Sequence, residues 1–243
     1  MAGIANNLRA VRERIARAAA SSGRAPGDIT LVAVTKTHPA EAVRAAVAAG
    51  VTVIGENRVQ EAAEKYGAIG AAGGAAGSEA GSEAVEWHLI GHLQSNKARK
   101  AVEIFSLIHS VDSAALAREI GKRSQALGKV QNVLVEVNTS GEAQKYGIEP
   151  EVGNVLKAIN ELKEIEGIKV LGLMTVGPLT EDTARVRGSF RTLKTLFDRV
   201  RSENITNVEM KHLSMGMSGD YELAIAEGST MVRIGSAIFG PRG

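Results

Sequence analysis

Apolar residues recur along this chain in two rhythms. From about Ile4 to Ala20 they fall at helical spacing (Ile4, Leu8, Val11, Ile15) with Arg and Glu between them, which predicts an amphipathic leading helix. Ile29–Lys36 then reads Ile-Thr-Leu-Val-Ala-Val-Thr-Lys, a β-branched run of the kind that forms a parallel strand buried on both faces. Seven more strand-like segments follow, at Thr52–Gly55, Glu86–Gly91, Leu107–Val111, Asn132–Asn138, Lys169–Thr175, Val208–Leu213 and Met231–Ile234. Helical segments separate them: Pro39–Ala49, Arg58–Tyr66, Ser95–Ile104, Ser113–Leu127, Pro150–Leu162, Thr183–Val200 and Gly219–Ala226. Regular β-then-α alternation predicts a parallel sheet covered by helices. Eight such units in 243 residues suit a single α/β domain, residues 1–243, built as a closed (β/α)8 TIM barrel with an extra N-terminal helix. An open, doubly wound sheet is the alternative, because periodicity does not report closure.

One stretch breaks the rhythm. Gly67–Ala84 reads GAIGAAGGAAGSEAGSEA, poor in large apolar residues, and is expected to be a flexible insertion between the second helix and the third strand.

Composition narrows the function classes. Lys and Arg total 29 against 27 Asp and Glu, so the net charge of +2 does not signal a polyanion-binding face, which would need clustered basic residues. Four Phe, three Tyr and one Trp are too few for an aromatic nucleic-acid platform. Cys is absent, which removes disulfides, thiolate metal sites and cysteine nucleophiles and fits a reducing compartment. The N-terminus has no signal-peptide core and no later stretch is long and apolar enough to span a bilayer, so the expected location is the cytoplasm, with no membrane partner.

In a (β/α)8 barrel, functional side chains project from the C-terminal strand ends. Strand one here ends in Lys36. Desolvation at the end of an apolar strand lowers a lysine pKa and raises the neutral-amine fraction that attacks aldehydes. Across the rim, Ser214-Met-Gly-Met-Ser218 and Gly235-Ser-Ala-Ile-Phe-Gly240 form small-residue turns after strands seven and eight. Their backbone N–H groups suit an anion cradle, where barrels often hold phosphate. An aldehyde-seeking lysine opposite a phosphate cradle describes pyridoxal 5′-phosphate. His88 and His92, four residues apart, flank a strand-ending turn with no third ligand at useful spacing, so no metal site is expected. Ser95–Lys100 is a basic cluster opening a helix, and Lys145 follows strand five; either is a secondary phosphate candidate.

The segments Val-Ala-Val-Thr-Lys36, Gly55-Glu-Asn-Arg-Val-Gln-Glu61, Trp87-His-Leu-Ile-Gly-His-Leu-Gln-Ser-Asn-Lys97, Val137-Asn-Thr-Ser-Gly141, Gly172-Leu-Met-Thr175, Leu213-Ser-Met-Gly-Met-Ser218 and Val232-Arg-Ile-Gly-Ser-Ala-Ile-Phe-Gly240 resemble the pyridoxal phosphate homeostasis protein family, over nearly the whole chain. That family is in turn similar to the barrel domain of alanine racemase, a fold-type-III vitamin B6 architecture. The resemblance implies that Lys36 forms the internal aldimine, that Ser214, Gly235 and Ser236 hold the phosphate, and that Arg233 faces the pyridine nitrogen. It further implies that Asn57 lies near the ring and that His88 and Met174 shape the pocket floor. Arginine only donates hydrogen bonds, so the nitrogen opposite it stays unprotonated and the ring is a weak electron sink.

The expected function is therefore to hold pyridoxal phosphate and pass it to apo-enzymes, as a monomer. The alternative is a racemase of low activity. Racemisation needs a base on each face of the cofactor. In the racemases that this barrel resembles, the second base comes from an additional domain, which the chain ending at Gly243 is not expected to have. Tyr146, after strand five, is then the residue to suspect; Tyr66 and Tyr221 fall on helices. A Schiff-base aldolase leaves Arg233 without a purpose.

Overall fold

A computed structural model describes residues 2–69 and 85–241. Eight parallel strands, β1 (Thr30–Val34), β2 (Val53–Glu56), β3 (Glu86–Leu89), β4 (Leu107–Val111), β5 (Gln131–Glu136), β6 (Ile168–Met174), β7 (Val208–Met217) and β8 (Met231–Ile234), pair in chain order. β8 pairs with β1, Leu31 opposite Val232, so the sheet closes into a barrel and is not an open one. α1 (Ala2–Ser21) precedes β1. The remaining helices α2 (Ala40–Ala48), α3 (Val59–Ile69), α4 (Ala98–Ile104), α5 (Ala114–Ala126), α6 (Val152–Leu162), α7 (Thr183–Ser202), α8 (Tyr221–Ala226) and α9 (Ser236–Phe239) follow the strands in turn.

Side chains alternate across each strand, so one set fills the barrel and the other meets the helices. Val32, Val53, Leu107, Leu134, Leu171, Met174 and Met231 form the inner cluster. Ala33, Ile54, Trp87, Leu89, Ile108, Val133 and Val232 join the larger outer core, with helix residues such as Val43, Ala62, Ile120 and Phe190. The leading helix buries the predicted stripe, Leu8, Val11 and Ile15. It packs on α8 and α9, and Asn7 donates to the Ile238 carbonyl at 2.9 Å. Arg24, just beyond it, donates to the carbonyls of Ile225 and Ser229. The leading helix thereby braces the β8 end of the barrel.

Among the boundaries that differ from expectation, two bear on the site and the insertion. The strand predicted to end at Leu213 runs on to Met217. It does so through an irregularity against β8, where Ser214 pairs with Met231 and Met217 with Arg233, an extra residue on the β7 side. Gly67–Ile69 continue α3, and the rest of the expected insertion, residues 70–84, lies outside the described residues.

Gly172, in β6, has a φ of 147° and approaches β7 so closely that a Cβ there would lie 1.8 Å from the His212 carbonyl oxygen. Neither backbone can yield without opening the β6–β7 seam. Gly172→Ala is expected to lower the unfolding free energy by at least about 3 kcal/mol, read as a drop in the urea midpoint.

Candidate functional site

The inward-facing parity of β1 carries through Val32 and Val34 to Lys36, two residues beyond the strand. The same two-residue step takes β2 through Val53 and Gly55 to Asn57, and β8 through Met231 and Arg233 to Gly235. These ends meet at a cavity of about 330 Å³ at the C-terminal rim. Lys36, Asn57, Arg233, Gly235 and Ser236 all line it, as do Val34, His38, Ile90, Val176, Met217, Ser218, Gly219 and Gly240. Five of the eight sequence-proposed cofactor residues therefore share one cavity.

The turn carrying Lys36 is held from both sides. Thr35 points outward and donates from Oγ1 to buried Glu56, while its carbonyl accepts from Lys65 Nζ at 2.6 Å. Lys65 also donates to Glu56 at 2.6 Å and to Glu61 at 2.7 Å, and Glu61 in turn accepts the N–H of Thr37. Thr37 has a φ of 67°, in the left-handed region that a β-branched residue seldom adopts. The clamp thus fixes the residues before and after Lys36. Opposite, Gly91 packs against the backbone of Asn57, where a Cβ would lie 2.5 Å from the carbonyl oxygen. That contact explains a glycine at the turn of the Leu-Ile-Gly-His segment.

Arg233 is buried. Its Nη1 donates to the Ser214 carbonyl at 3.0 Å and to Ser214 Oγ at 2.6 Å, and its Nη2 donates to the Thr175 carbonyl at 2.7 Å. Burial pulls its pKa down to about 10, with the carboxylates of Glu136 and Asp220 opposing the fall, so it remains charged at neutral pH. Burial raises Glu136 to about 7, Asp112 adding to the shift and Arg233 opposing it.

At this end of the cavity Ser218 Oγ accepts from the N–H groups of Gly235 at 3.2 Å and Ala237 at 3.4 Å. Those donors converge on one point at the mouth of α9.

The other three of the eight do not line this cavity. Ser214 lies inside the extended β7, fully buried against Arg233 and His109, and does not line the cavity; Ser218, four residues on, does. Met174 sits within the inner cluster below the cavity, and Ile90 and Val176, which pack on that cluster, make the floor. His88 lies deeper still, its ring bonded to His109 and Glu86. Ser214 pairs with Met174 and Met231, at the level of the inner cluster, and Met174 and His88 each stand one inward step short of the rim residue on their strand.

Tyr146 also falls elsewhere. Its ring stacks on His92 with centroids 3.8 Å apart, on the outer rim, and it is not among the residues lining the cavity. Lys145 donates to Glu142 at 2.7 Å and to the Gly177 carbonyl at 2.9 Å, and Lys100 pairs with Glu103 at 2.9 Å.

The comparisons with known proteins agree with this fold. The alanine racemase N-terminal domain family matches residues 6–243. A protein from Aquifex aeolicus named pyridoxal phosphate homeostasis protein is 43% identical over 235 residues, covering 97% of this chain and 96% of its own. Its namesake from Escherichia coli K12 is 40% identical over 250 residues, covering 98% and 97%. The chain belongs to the pyridoxal phosphate homeostasis protein family. Among solved structures, the family member PipY of Synechococcus elongatus, with pyridoxal phosphate bound, superposes with a TM-score of 0.80 at 35% identity, over 98% of this chain and 100% of that one. Alanine racemase of Clostridium difficile superposes at 0.72 with 18% identity over 57% of its own length, a likeness of fold alone.

Proposed function

We propose that this chain binds pyridoxal 5′-phosphate in the rim cavity as an imine with Lys36, and that it buffers the cofactor in the cytoplasm and passes it, as a monomer, to apo-enzymes. The observation that carries the reading is one cavity lined at once by Lys36, the buried Arg233 and the small-residue turn at Gly235 and Ser236, with Ser218 beside it. That donor set fits a phosphorylated aldehyde with a basic ring nitrogen. The neutral Lys36 amine adds to the aldehyde carbon and water leaves, giving a C=N bond that reverses by hydrolysis. The phosphate is assigned to Gly235 and Ser236 with Ser218, Asn57 lies beside the ring, and Arg233 turns an Nη or Nε donor towards the ring nitrogen.

When bound, the cofactor supplies an electrophilic carbon and an electron-withdrawing ring. A guanidinium donor keeps the ring nitrogen unprotonated, which blunts carbanion chemistry and favours reversible holding over turnover. The racemase alternative needs a second base facing the cavity, and its candidate, Tyr146, stacks on the outer rim instead.

The test is an absorbance spectrum of purified protein reconstituted with pyridoxal phosphate, before and after borohydride reduction, with peptide mass mapping. Visible imine absorbance, bleached by borohydride and leaving the reduced adduct on Lys36, is the expected result. A protein that stays colourless after reconstitution, or carries the adduct on another lysine, defeats the reading. Within the same scheme, Ser218→Ala is expected to weaken binding of the phosphorylated cofactor about tenfold while leaving unphosphorylated pyridoxal little changed; that corresponds to about 1.4 kcal/mol in a titration.

A further inference from the structure

Arg233 is tied to the opposite end of the barrel by side chains that the proposed function leaves unused. Ser214 Oγ, which accepts from Arg233, lies 3.0 Å from His109 Nδ1. His109 Nε2 lies 3.1 Å from His88 Nδ1, and His88 Nε2 lies 3.3 Å from Glu86 Oε2. Ser214, His109, His88 and Arg233 are buried, whereas Glu86 opens β3 and its side chain is 60% exposed. The residues come from β8, β7, β4 and β3, so the column crosses the barrel interior from the cavity to the N-terminal face.

The chemistry of the groups fixes its direction. A guanidinium only donates, so Ser214 Oγ accepts from Arg233 and has a single hydrogen to give. Among the described residues the acceptor in reach is His109 Nδ1. A neutral imidazole carries one N–H, which for His109 is then Nε2–H, donating to His88 Nδ1. The same rule places the His88 proton on Nε2, facing the Glu86 carboxylate. Every donor finds one acceptor, with a cation at one end and an anion at the other, an arrangement in which the bonds polarise one another.

We infer that His109 and His88 are positioning residues for Arg233, forming with Ser214 a one-way hydrogen-bond column anchored by Glu86 that fixes the guanidinium beneath the cavity. Burial supports the neutral state of both rings. It lowers the His88 pKa, with Glu86 opposing, and holds His109 well below the usual value, helped by His88, Arg233 and His212. His212, which faces the same rings from β7 beside Lys211 and Glu209, is itself held down to about 4. Adding a proton to His88 Nδ1 removes the acceptor for His109, so His109 must move its own proton to Nδ1 and turn the Ser214 hydrogen away. One protonation at His88 therefore rewrites the hydrogen bonding at Arg233. The inference rests on the proposed cofactor site only for what Arg233 faces.

The experiment uses protein labelled with 15N in histidine and arginine, without and with pyridoxal phosphate. Long-range proton–nitrogen correlation at pH 7.5 is expected to show His88 and His109 both neutral and protonated on Nε2. Arg233 should show resolved Nη resonances, the mark of a guanidinium held against rotation. In Glu86→Ala, which removes an exposed carboxylate, His88 should populate both tautomers and the Arg233 Nη resonances should broaden or merge while the unfolding midpoint stays unchanged. Either ring charged or protonated on Nδ1 in the wild type overturns the column. Correct tautomers with Arg233 unaffected by Glu86→Ala, and likewise by His88→Gln, overturn the positioning role. These spectra of the unloaded protein decide the inference whether or not the cofactor binds, whereas failure to bind counts against the proposed function alone.

Discussion

Lys36→Ala is expected to abolish the visible absorbance of the reconstituted protein and to weaken pyridoxal phosphate binding by on the order of a hundredfold or more, about 3 kcal/mol. The covalent bond goes, while Arg233 and the donors at Gly235 and Ala237 stay, so residual binding should resemble that of a phosphorylated ring with no aldehyde to capture. Folding should survive. Lys36 is half-buried, and Thr35 and Thr37 on either side of it tie its turn to Glu56, Lys65 and Glu61. Equilibrium dialysis with pyridoxal phosphate and with pyridoxine phosphate separates the terms. The wild type should prefer the aldehyde strongly, and the variant should bind the two alike. A variant that retains the preference for the aldehyde places the imine on another amine.

Much of this site is legible in the sequence because β-strand parity extends past the strand ends. Val32 and Val34 announce the inward face, and Lys36 keeps it for one more step. Met231, Arg233 and Gly235 do the same on β8, which is why a lysine and a small-residue turn read from separate ends of the chain arrive at one cavity. Parity fails where the backbone adds a residue. β7 passes through Gly216, at a φ of 93°, and adds a residue against β8 between Ser214 and Met217, so Ser214, which the family resemblance placed at the phosphate, sits at the level of Met231 while Ser218 reaches the rim. The buried polar partners are harder still. His109 stands within Leu-Ile-His-Ser-Val, where nothing local distinguishes a column through the barrel from a strand residue; its partner on β7 lies 105 positions away. Closure of the sheet, too, depends on β8 meeting β1 and has no signature in either segment alone.

Lys65 illustrates the same blindness at greater energetic cost. In sequence it is one of several charged positions on α3, yet its side chain is 7% exposed and all three ammonium hydrogens have acceptors, in Thr35, Glu56 and Glu61. Glu56 depends on it. That carboxylate is fully buried, its pKa is raised by burial and lowered by the hydrogen bonds from Lys65 and Thr35, and its Oε2 has no partner among the described residues. Lys65→Met removes the compensating charge while the buried carboxylate remains, and such a break costs about 3–5 kcal/mol. The loss should depend on pH in a defined direction. Without Lys65 the folded-state pKa of Glu56 rises further above its unfolded value, so the folded protein binds the extra proton and the deficit is greatest above that raised pKa, shrinking as pH falls towards the ordinary carboxylate range. Urea midpoints of wild type and variant, compared at pH 8 and pH 5.5, should therefore converge at the lower pH, and Glu56→Gln introduced beside Lys65→Met should recover part of the loss at pH 8. Since Lys65 and Glu61 also fix the backbone on either side of Lys36, the folded variant should form its imine with lower affinity even where stability is restored. Midpoints that stay parallel across pH, together with undiminished imine formation, would show that the clamp neither bears the buried charge nor orients the lysine.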